Sequence, residues 1–175
     1  QDLCRELYTY LKNELFLPWS EAELELVVRQ VLEHMYQLEL LKKQRGMLVI
    51  PEGHSHSHHL LSIIASTSKG TLERFYIALQ LIITHPPGYY TEQSLEEDCV
   101  LMAQRLSLLY TFHAPDFFDK SLFRTFIQGL VAEGHMQLYD GDRLAFHRKV
   151  MLGERRVVQM LSPEVRQAIL RITQP

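Results

Sequence analysis

The sequence feature that most limits the fold is a pattern that occurs twice, an amphipathic helix followed by two short strands around a glycine turn. The first copy spans residues 20–50 and the second spans residues 116–147. In each copy the apolar residues change from helical spacing to strand-like runs, and Gln44-Arg45-Gly46 or Asp140-Gly141-Asp142 separates the strands. Helices followed by a hairpin of this size resemble winged-helix units. We therefore predict a mainly α fold, a helical domain with two small β-hairpins and a tandem winged-helix-like arrangement.

The residues that begin and end the predicted helices support this arrangement. Ser20 and Glu23 have the spacing of a capping box and open a helix that runs to about Leu38, with an apolar stripe that needs a core to cover it. Further helices are predicted over residues 2–16, ended by Pro18; from Leu72 to Ile83, after an interruption at Ser68-Lys69-Gly70 and ended by Pro86-Pro87-Gly88; from the N-cap Thr91 to Leu109; from Asp116 to Gly134; and from Ser162-Pro163-Glu164 onward.

Residues 51–59 are polar and rich in turn formers, so we interpret them as a loop and as the clearest internal boundary. We predict that residues 1–59 form a first helical, winged-helix-like unit. Residues 60–175 form a second helical unit with a hairpin near 136–146 and a C-terminal helix. Because the chain starts with Gln1 and opens directly in a helical pattern, we expect it to be part of a longer protein.

Charge and cysteine content narrow the classes of function. The formal net charge of −3 gives no electrostatic footprint for nucleic acid, and we predict no nucleic-acid partner. Cys4 and Cys99 both lie at apolar-periodic positions, so we predict buried free thiols. No apolar run approaches the roughly 20 residues that a membrane-spanning helix needs, and we expect this piece to be soluble.

Two short motifs resemble parts of an acyltransferase active site. His135 and Asp140 have the His-x4-Asp spacing in which an aspartate orients a general-base histidine. Pro51-Glu52-Gly53 resembles a phosphate-binding block of the same enzymes, but here it precedes the His-x4-Asp instead of following it. We therefore interpret both as chance matches.

Histidines at 54, 56, 58 and 59 alternate with serine, with no cysteine or carboxylate cluster beside them, so we interpret them as a solvated loop. The sequence predicts no catalytic, cofactor-binding or metal-binding residue in this chain, and no cofactor.

The stretch from Leu101 to Phe123 joins two helical patterns across a break at His113-Ala114-Pro115. Its charged residues are interpreted as helix caps and ion pairs, and its aromatic residues, with Trp19, as packing contacts. These charged residues are Arg105, Asp116, Asp119 and Lys120, and the aromatic residues are Tyr110, Phe112, Phe117 and Phe118.

Four blocks together carry a family resemblance: Glu14-Leu15-Phe16-Leu17-Pro18-Trp19, Leu101–Tyr110, Ala114–Lys120 and Leu161–Val165. They resemble, in the same order, the C-terminal region of bacterial membrane-bound glycerol-3-phosphate 1-O-acyltransferases of the PlsB type. That family transfers an acyl group from acyl-CoA or acyl-acyl carrier protein to glycerol 3-phosphate, which gives lysophosphatidic acid for phospholipid synthesis. Its catalytic blocks lie upstream of the matched region, so the resemblance carries no catalytic residue onto this chain.

The resemblance implies a non-catalytic C-terminal domain that packs on an upstream catalytic domain of the same chain. It also implies a full-length enzyme at the cytoplasmic face of the bacterial inner membrane. From the aromatic residues near 110–118 we expect a role at the acyl-donor entrance or in peripheral membrane contact. The alternatives are a winged-helix-like protein-interaction module, a nucleic-acid-binding winged helix, and, least favoured, a compact catalytic domain.

Overall fold

The computed structural model describes residues 2–12, 14–109, 115–147 and 149–173. The described helices are α1 (Asp2–Leu11), α2 (Glu21–Gln37), α3 (His56–Ser66), α4 (Lys69–Thr84), α5 (Glu92–Leu109), α6 (Lys120–Ala132), α7 (Lys149–Val158) and α8 (Pro163–Thr173), with a 3-10 helix at Pro115–Phe118. The strands are β1 (Lys42–Gln44), β2 (Met47–Val49), β3 (Met136–Tyr139) and β4 (Arg143–Phe146). The predicted fold class, mainly α with two small hairpins, is confirmed. The tandem winged-helix-like arrangement stays a prediction.

The chain divides into two compact units. Unit 1 contains Gln1–Arg5 and Pro18–Lys69, and unit 2 contains Glu6–Leu17 and Gly70–Pro175. The division drawn from the sequence, 1–59 and 60–175, stays a prediction.

Unit 1 starts its main helix, α2, with the predicted pairing of Ser20 and Glu23. The backbone N–H of Ser20 donates to the Glu23 carboxylate at 2.8 Å, and the Ser20 hydroxyl donates to the same oxygen at 2.6 Å. These hydrogen bonds lower the pKa of Glu23. The strands β1 and β2 follow as an antiparallel hairpin, with Arg45 and Gly46 both at positive φ in its turn. A turn of that kind matches the twist of the two strands.

The apolar stripe of α2 is buried less than the sequence predicts. Leu24 is the only residue of this helix that is buried, and Val31 is 50% exposed. Val27, Val28, Leu32 and Met35 are half-buried, so this chain covers the stripe only in part. Trp19, interpreted as a packing anchor, is 40% exposed.

Unit 2 is organised around α4. Twelve consecutive residues of this helix, Thr71–Ile82, are buried, so α4 is covered on all sides. Such a helix is typical of the centre of a helical domain. On α5, Leu95, Cys99, Met102 and Leu106 are buried, whereas Leu109, the last residue of the helix, is 65% exposed.

The second hairpin lies beside the connection between α4 and α5. Strands β3 and β4 pair antiparallel, with Tyr139 opposite Arg143. The Leu144 N–H donates to the Tyr90 carbonyl at 2.7 Å, and the Gly88 N–H donates to the Leu144 carbonyl at 2.8 Å. The residues that follow Pro86-Pro87 therefore form backbone hydrogen bonds with β4, and Thr91 forms an isolated bridge with Arg143.

Several local predictions are corrected by the structure. The first helix ends at Leu11 instead of at about 16, so Pro18 is not what ends it. Lys69 and Gly70 begin α4 instead of interrupting it, because the chain breaks earlier, at Thr67 and Ser68. Cys4 is exposed, against the prediction of a buried thiol, whereas Cys99 is buried as predicted.

The largest correction concerns residues 51–59. The chain enters α3 at His56, after Ser55, whose hydroxyl accepts a hydrogen bond from the His58 N–H at 3.1 Å. An N-cap of this kind satisfies a helix amide and starts the helix. The predicted loop therefore ends at Ser55, and three of the four histidines lie in a helix. None of the helices that the structure describes is long and apolar enough to cross a bilayer.

Candidate functional site

The His-x4-Asp pair does not form a catalytic dyad. His135 precedes β3, and Asp140 follows the same strand, in the turn of the hairpin. Because an extended strand rises about 3.4 Å per residue, five residues place the two Cα atoms roughly 17 Å apart. His135 is buried with its ring stacked on Tyr10, at 4.6 Å between ring centroids, while Asp140 is exposed. A carboxylate at that distance cannot orient the imidazole as a general base.

Pro51-Glu52-Gly53 serves as the turn that leads into α3. The Glu52 carbonyl accepts hydrogen bonds from the Ser55 N–H at 2.9 Å and from the Ser55 hydroxyl at 2.8 Å. These contacts position the N-cap residue, and they involve the backbone of Glu52 only. Across the described residues, no group of three or more His, Cys, Asp or Glu side chains is arranged to hold a metal ion.

Charged residues of α5 and α6 form an ion-pair cluster in the described part of unit 2. Glu96 on α5 accepts two hydrogen bonds from the Arg124 guanidinium, at 2.8 and 3.0 Å, and lies 3.2 Å from the Lys120 ammonium. The Glu96 side chain is 6% exposed. The hydrogen bond from Arg124 is the main reason that the pKa of Glu96 is lowered. A carboxylate held by two cations stays ionised and joins α5 to α6.

Asp119 is the N-cap of α6, directly before Lys120. Its carboxylate accepts from the Ser121 N–H and from the Ser121 hydroxyl, both at 2.8 Å. These bonds lower the pKa of Asp119. The prediction that Asp119 and Lys120 serve in caps and ion pairs is confirmed. Arg105 lies outside this network, since its guanidinium contacts Met102 sulfur at 3.9 Å.

A second ion pair of unit 2 is buried. The Arg74 guanidinium donates to the Glu14 carboxylate, which also accepts from the Thr71 hydroxyl at 3.0 Å. The two charged side chains are 9% and 4% exposed. Sequence reasoning missed this pair because its partners are 60 residues apart and neither belongs to a recognisable motif.

Phe117 belongs to the same buried region. Its ring lies 5.9 Å from the Arg74 guanidinium carbon, and the side chain is 2% exposed. Phe117 is therefore a core residue, as interpreted from the sequence. The expected role of the aromatic residues near 110–118 at a donor entrance or a membrane stays a prediction. Tyr110 and Phe112 lie outside the described residues.

A third cluster of ionisable groups joins α4 to α7. The Gln80 amide donates to the Glu154 carboxylate at 3.0 Å. Burial raises the pKa of Glu154, and burial, with Glu154 as the next contribution, raises the pKa of Tyr76 to about 12. These shifts favour the neutral forms, as expected for polar groups inside a core.

The geometry in unit 2 therefore favours a structural role for its buried charged residues. Each carboxylate of the clusters described above is paired with a cation, an amide or a helix N-terminus of the same unit. Such pairing fixes helices against one another and leaves the carboxylates engaged within the protein.

Comparison with known proteins gives the family. The family model described as the glycerol-3-phosphate acyltransferase C-terminal region matches residues 1–138. A glycerol-3-phosphate acyltransferase of Pseudomonas entomophila is 42% identical over 170 residues, which are 96% of this chain and 20% of that protein. Proteins of the same name from Pseudomonas putida strain W619 and Pseudomonas aeruginosa strain PAO1 are 39% and 37% identical, again over 20% of their lengths.

No solved structure matches this chain. The chain spans about a fifth of the length of the curated relatives it matches. Since the family model covers most of the chain, the sequence belongs to the family of glycerol-3-phosphate acyltransferase C-terminal regions.

Proposed function

We propose that this chain is a non-catalytic C-terminal domain of a glycerol-3-phosphate acyltransferase, which packs on the catalytic domain of the same protein and stabilises it. The observation that carries the proposal is that nearly the whole chain matches about a fifth of each relative. The family model that matches the chain describes a C-terminal region. The wide separation of His135 and Asp140 supports a non-catalytic role.

The full enzyme, in this proposal, transfers an acyl group from acyl-CoA or acyl-acyl carrier protein to glycerol 3-phosphate and forms lysophosphatidic acid. It works at the cytoplasmic face of the bacterial inner membrane. In this proposal, the acyl donor and the membrane are partners of the full enzyme.

Two proteins test the proposal, the 175-residue chain and a full-length enzyme from which the same region is deleted. We expect no acyl transfer to glycerol 3-phosphate by the 175-residue chain, measured as the formation of radiolabelled lysophosphatidic acid. We expect the deletion to lower the folded yield, the thermal midpoint and the activity of the remaining enzyme. Acyl transfer by the fragment would refute the non-catalytic role. Full activity and an unchanged thermal midpoint after deletion would refute the supporting role.

A further inference from the structure

Helix α3 presents apolar side chains that unit 1 leaves uncovered. Leu60, Ile63 and Ile64 are 38%, 49% and 49% exposed. Their spacing of three and four residues places them on one helix face. None of the 11 residues of α3 is buried. We call Leu60, Ile63 and Ile64 the α3 apolar face.

A comparison with α8 shows what α3 lacks. Both helices have 11 residues, but α8 buries Ala168, Ile169 and Thr173 within unit 2. An isolated helix of such length is marginal in water, and most helices gain their stability by packing one apolar face. Helix α3 therefore needs a partner surface that unit 1 does not supply.

The composition of α3 indicates which kind of surface this is. Its sequence, His-Ser-His-His-Leu-Leu-Ser-Ile-Ile-Ala-Ser, contains no Lys, Arg, Asp or Glu. Helices that lie on anionic bilayers carry Lys and Arg on their polar face, and α3 has none. The buried centre of a protein interface is typically apolar and contains few charged side chains.

The lengths of the relatives indicate which part of the protein provides that surface. They match 95–96% of this chain with only 20% of their own length, so about four fifths of each relative lies outside the matched region. We propose that the α3 apolar face is the surface by which this domain docks on the remaining part of the acyltransferase chain. This inference rests on the proposed function and names the docking surface within it.

The test uses the full-length enzyme with the photoreactive residue p-benzoylphenylalanine in place of Ile63. Leu26 is the matched control position. It is 56% exposed on a helix of the same unit, but its face of α2 is otherwise polar, with Arg29, Gln30 and Glu33. After illumination, cross-linked peptides are identified by mass spectrometry.

We expect position 63 to cross-link to peptides of the same enzyme chain that lie outside the 175 residues. We expect no such cross-links when the photoreactive residue stands at position 26. Cross-links to phospholipid, to a second copy of the enzyme, or only to residues of this domain would overturn the proposal. So would the absence of a cross-link from position 63.

A second variant does not depend on cross-linking chemistry. Ile63→Lys places a charge in the α3 apolar face, and we expect it to lower the thermal midpoint of the full-length enzyme, while Leu26→Lys leaves it unchanged. Equal midpoints for the two variants would contradict docking through α3. If deletion of the whole domain impairs the enzyme but both α3 tests fail, the supporting role stands and this surface is wrong.

Discussion

At the scale of single residues, the buried pair of Arg74 and Glu14 gives a direct test of how unit 2 is stabilised. Arg74→Met would leave the Glu14 carboxylate buried with the Thr71 hydroxyl as its remaining described hydrogen-bond donor. Breaking one partner of a buried ion pair costs about 3–5 kcal/mol, because an uncompensated charge stays in the core. We expect a loss of that size in the free energy of unfolding, measured by urea denaturation.

The surface pair of Arg29 and Glu25 provides the control. It has a separation of 3.2 Å, and its side chains are 68% and 49% exposed. Because solvent screens such pairs, Arg29→Met should cost less than about 1 kcal/mol. The double variant Glu14→Gln with Arg74→Met should recover part of the stability lost in Arg74→Met alone. If Arg74→Met and Arg29→Met lower the free energy of unfolding equally, the buried pair of Arg74 and Glu14 does not stabilise unit 2 more than a surface pair does.

At the scale of secondary-structure elements, α7 depends on a glycine. A Cβ atom at Gly153 would lie 2.7 Å from Cζ of Tyr10 and 2.9 Å from its hydroxyl oxygen. The Tyr10 ring has little room to move, since it is buried and stacked on His135. We expect Gly153→Ala to destabilise unit 2 by about 1–3 kcal/mol through overpacking, measured by thermal unfolding.

Gly70, at the start of α4, is the matched control for Gly153. A Cβ atom added at Gly70 would lie 3.7 Å from its nearest neighbours, an ordinary contact distance. Alanine is a better helix former than glycine, so Gly70→Ala should be neutral or stabilise by up to about 1 kcal/mol. A stabilising Gly153→Ala would mean that Tyr10 and α7 do not pack as closely as described.

At the scale of the whole molecule, stability should fall on the alkaline side. The pKa of Tyr76 is raised from 10.0 to about 12, first by burial and then by Glu154. The unfolded chain therefore ionises this phenol before the folded chain does. The contribution of the Tyr76 phenol to stability is complete below pH 10 and is lost as the pH rises toward 12. A shift of two units corresponds to about 3 kcal/mol.

Replacing the phenol tests this dependence. Tyr76→Phe should remove that part of the decrease in unfolding free energy between pH 10 and 12, measured by urea denaturation at each pH. Tyr139 is 60% exposed, so Tyr139→Phe is the control and should leave the decrease unchanged. An identical alkaline decrease in the wild type and Tyr76→Phe would show that this buried phenol does not control it.

Local signals in the sequence predicted much of the fold. The capping box at Ser20, the Asp140-Gly141 turn and the stop at Pro86-Pro87 each act within a few residues, and the structure has all three. Helix α3 was missed because alternating histidine and serine residues give no helical period, whereas the cap at Ser55 does start a helix. Helix α7 was not predicted, and its packing on Tyr10 joins residues that are distant in sequence.

The candidate site also depends on contacts between residues that are distant in sequence. Motif spacing suggested His135 with Asp140, but spacing along a strand carries the two residues apart. The clusters that the structure does form, such as Glu14 with Arg74, join residues far apart in the chain, and a single sequence gives no signal for them.

The contact between the α4–α5 connection and the second hairpin has a consequence for the order in which unit 2 can assemble. The Arg143 guanidinium donates to the carbonyls of Gly88 and Tyr89, which are 55 and 54 residues away in sequence. Closing a loop of that length costs chain entropy that only later contacts offset, whereas the Asp140-Gly141 turn closes locally. The hairpin can therefore form early as a local structure, but its place in the unit is fixed only when the α4–α5 connection reaches it.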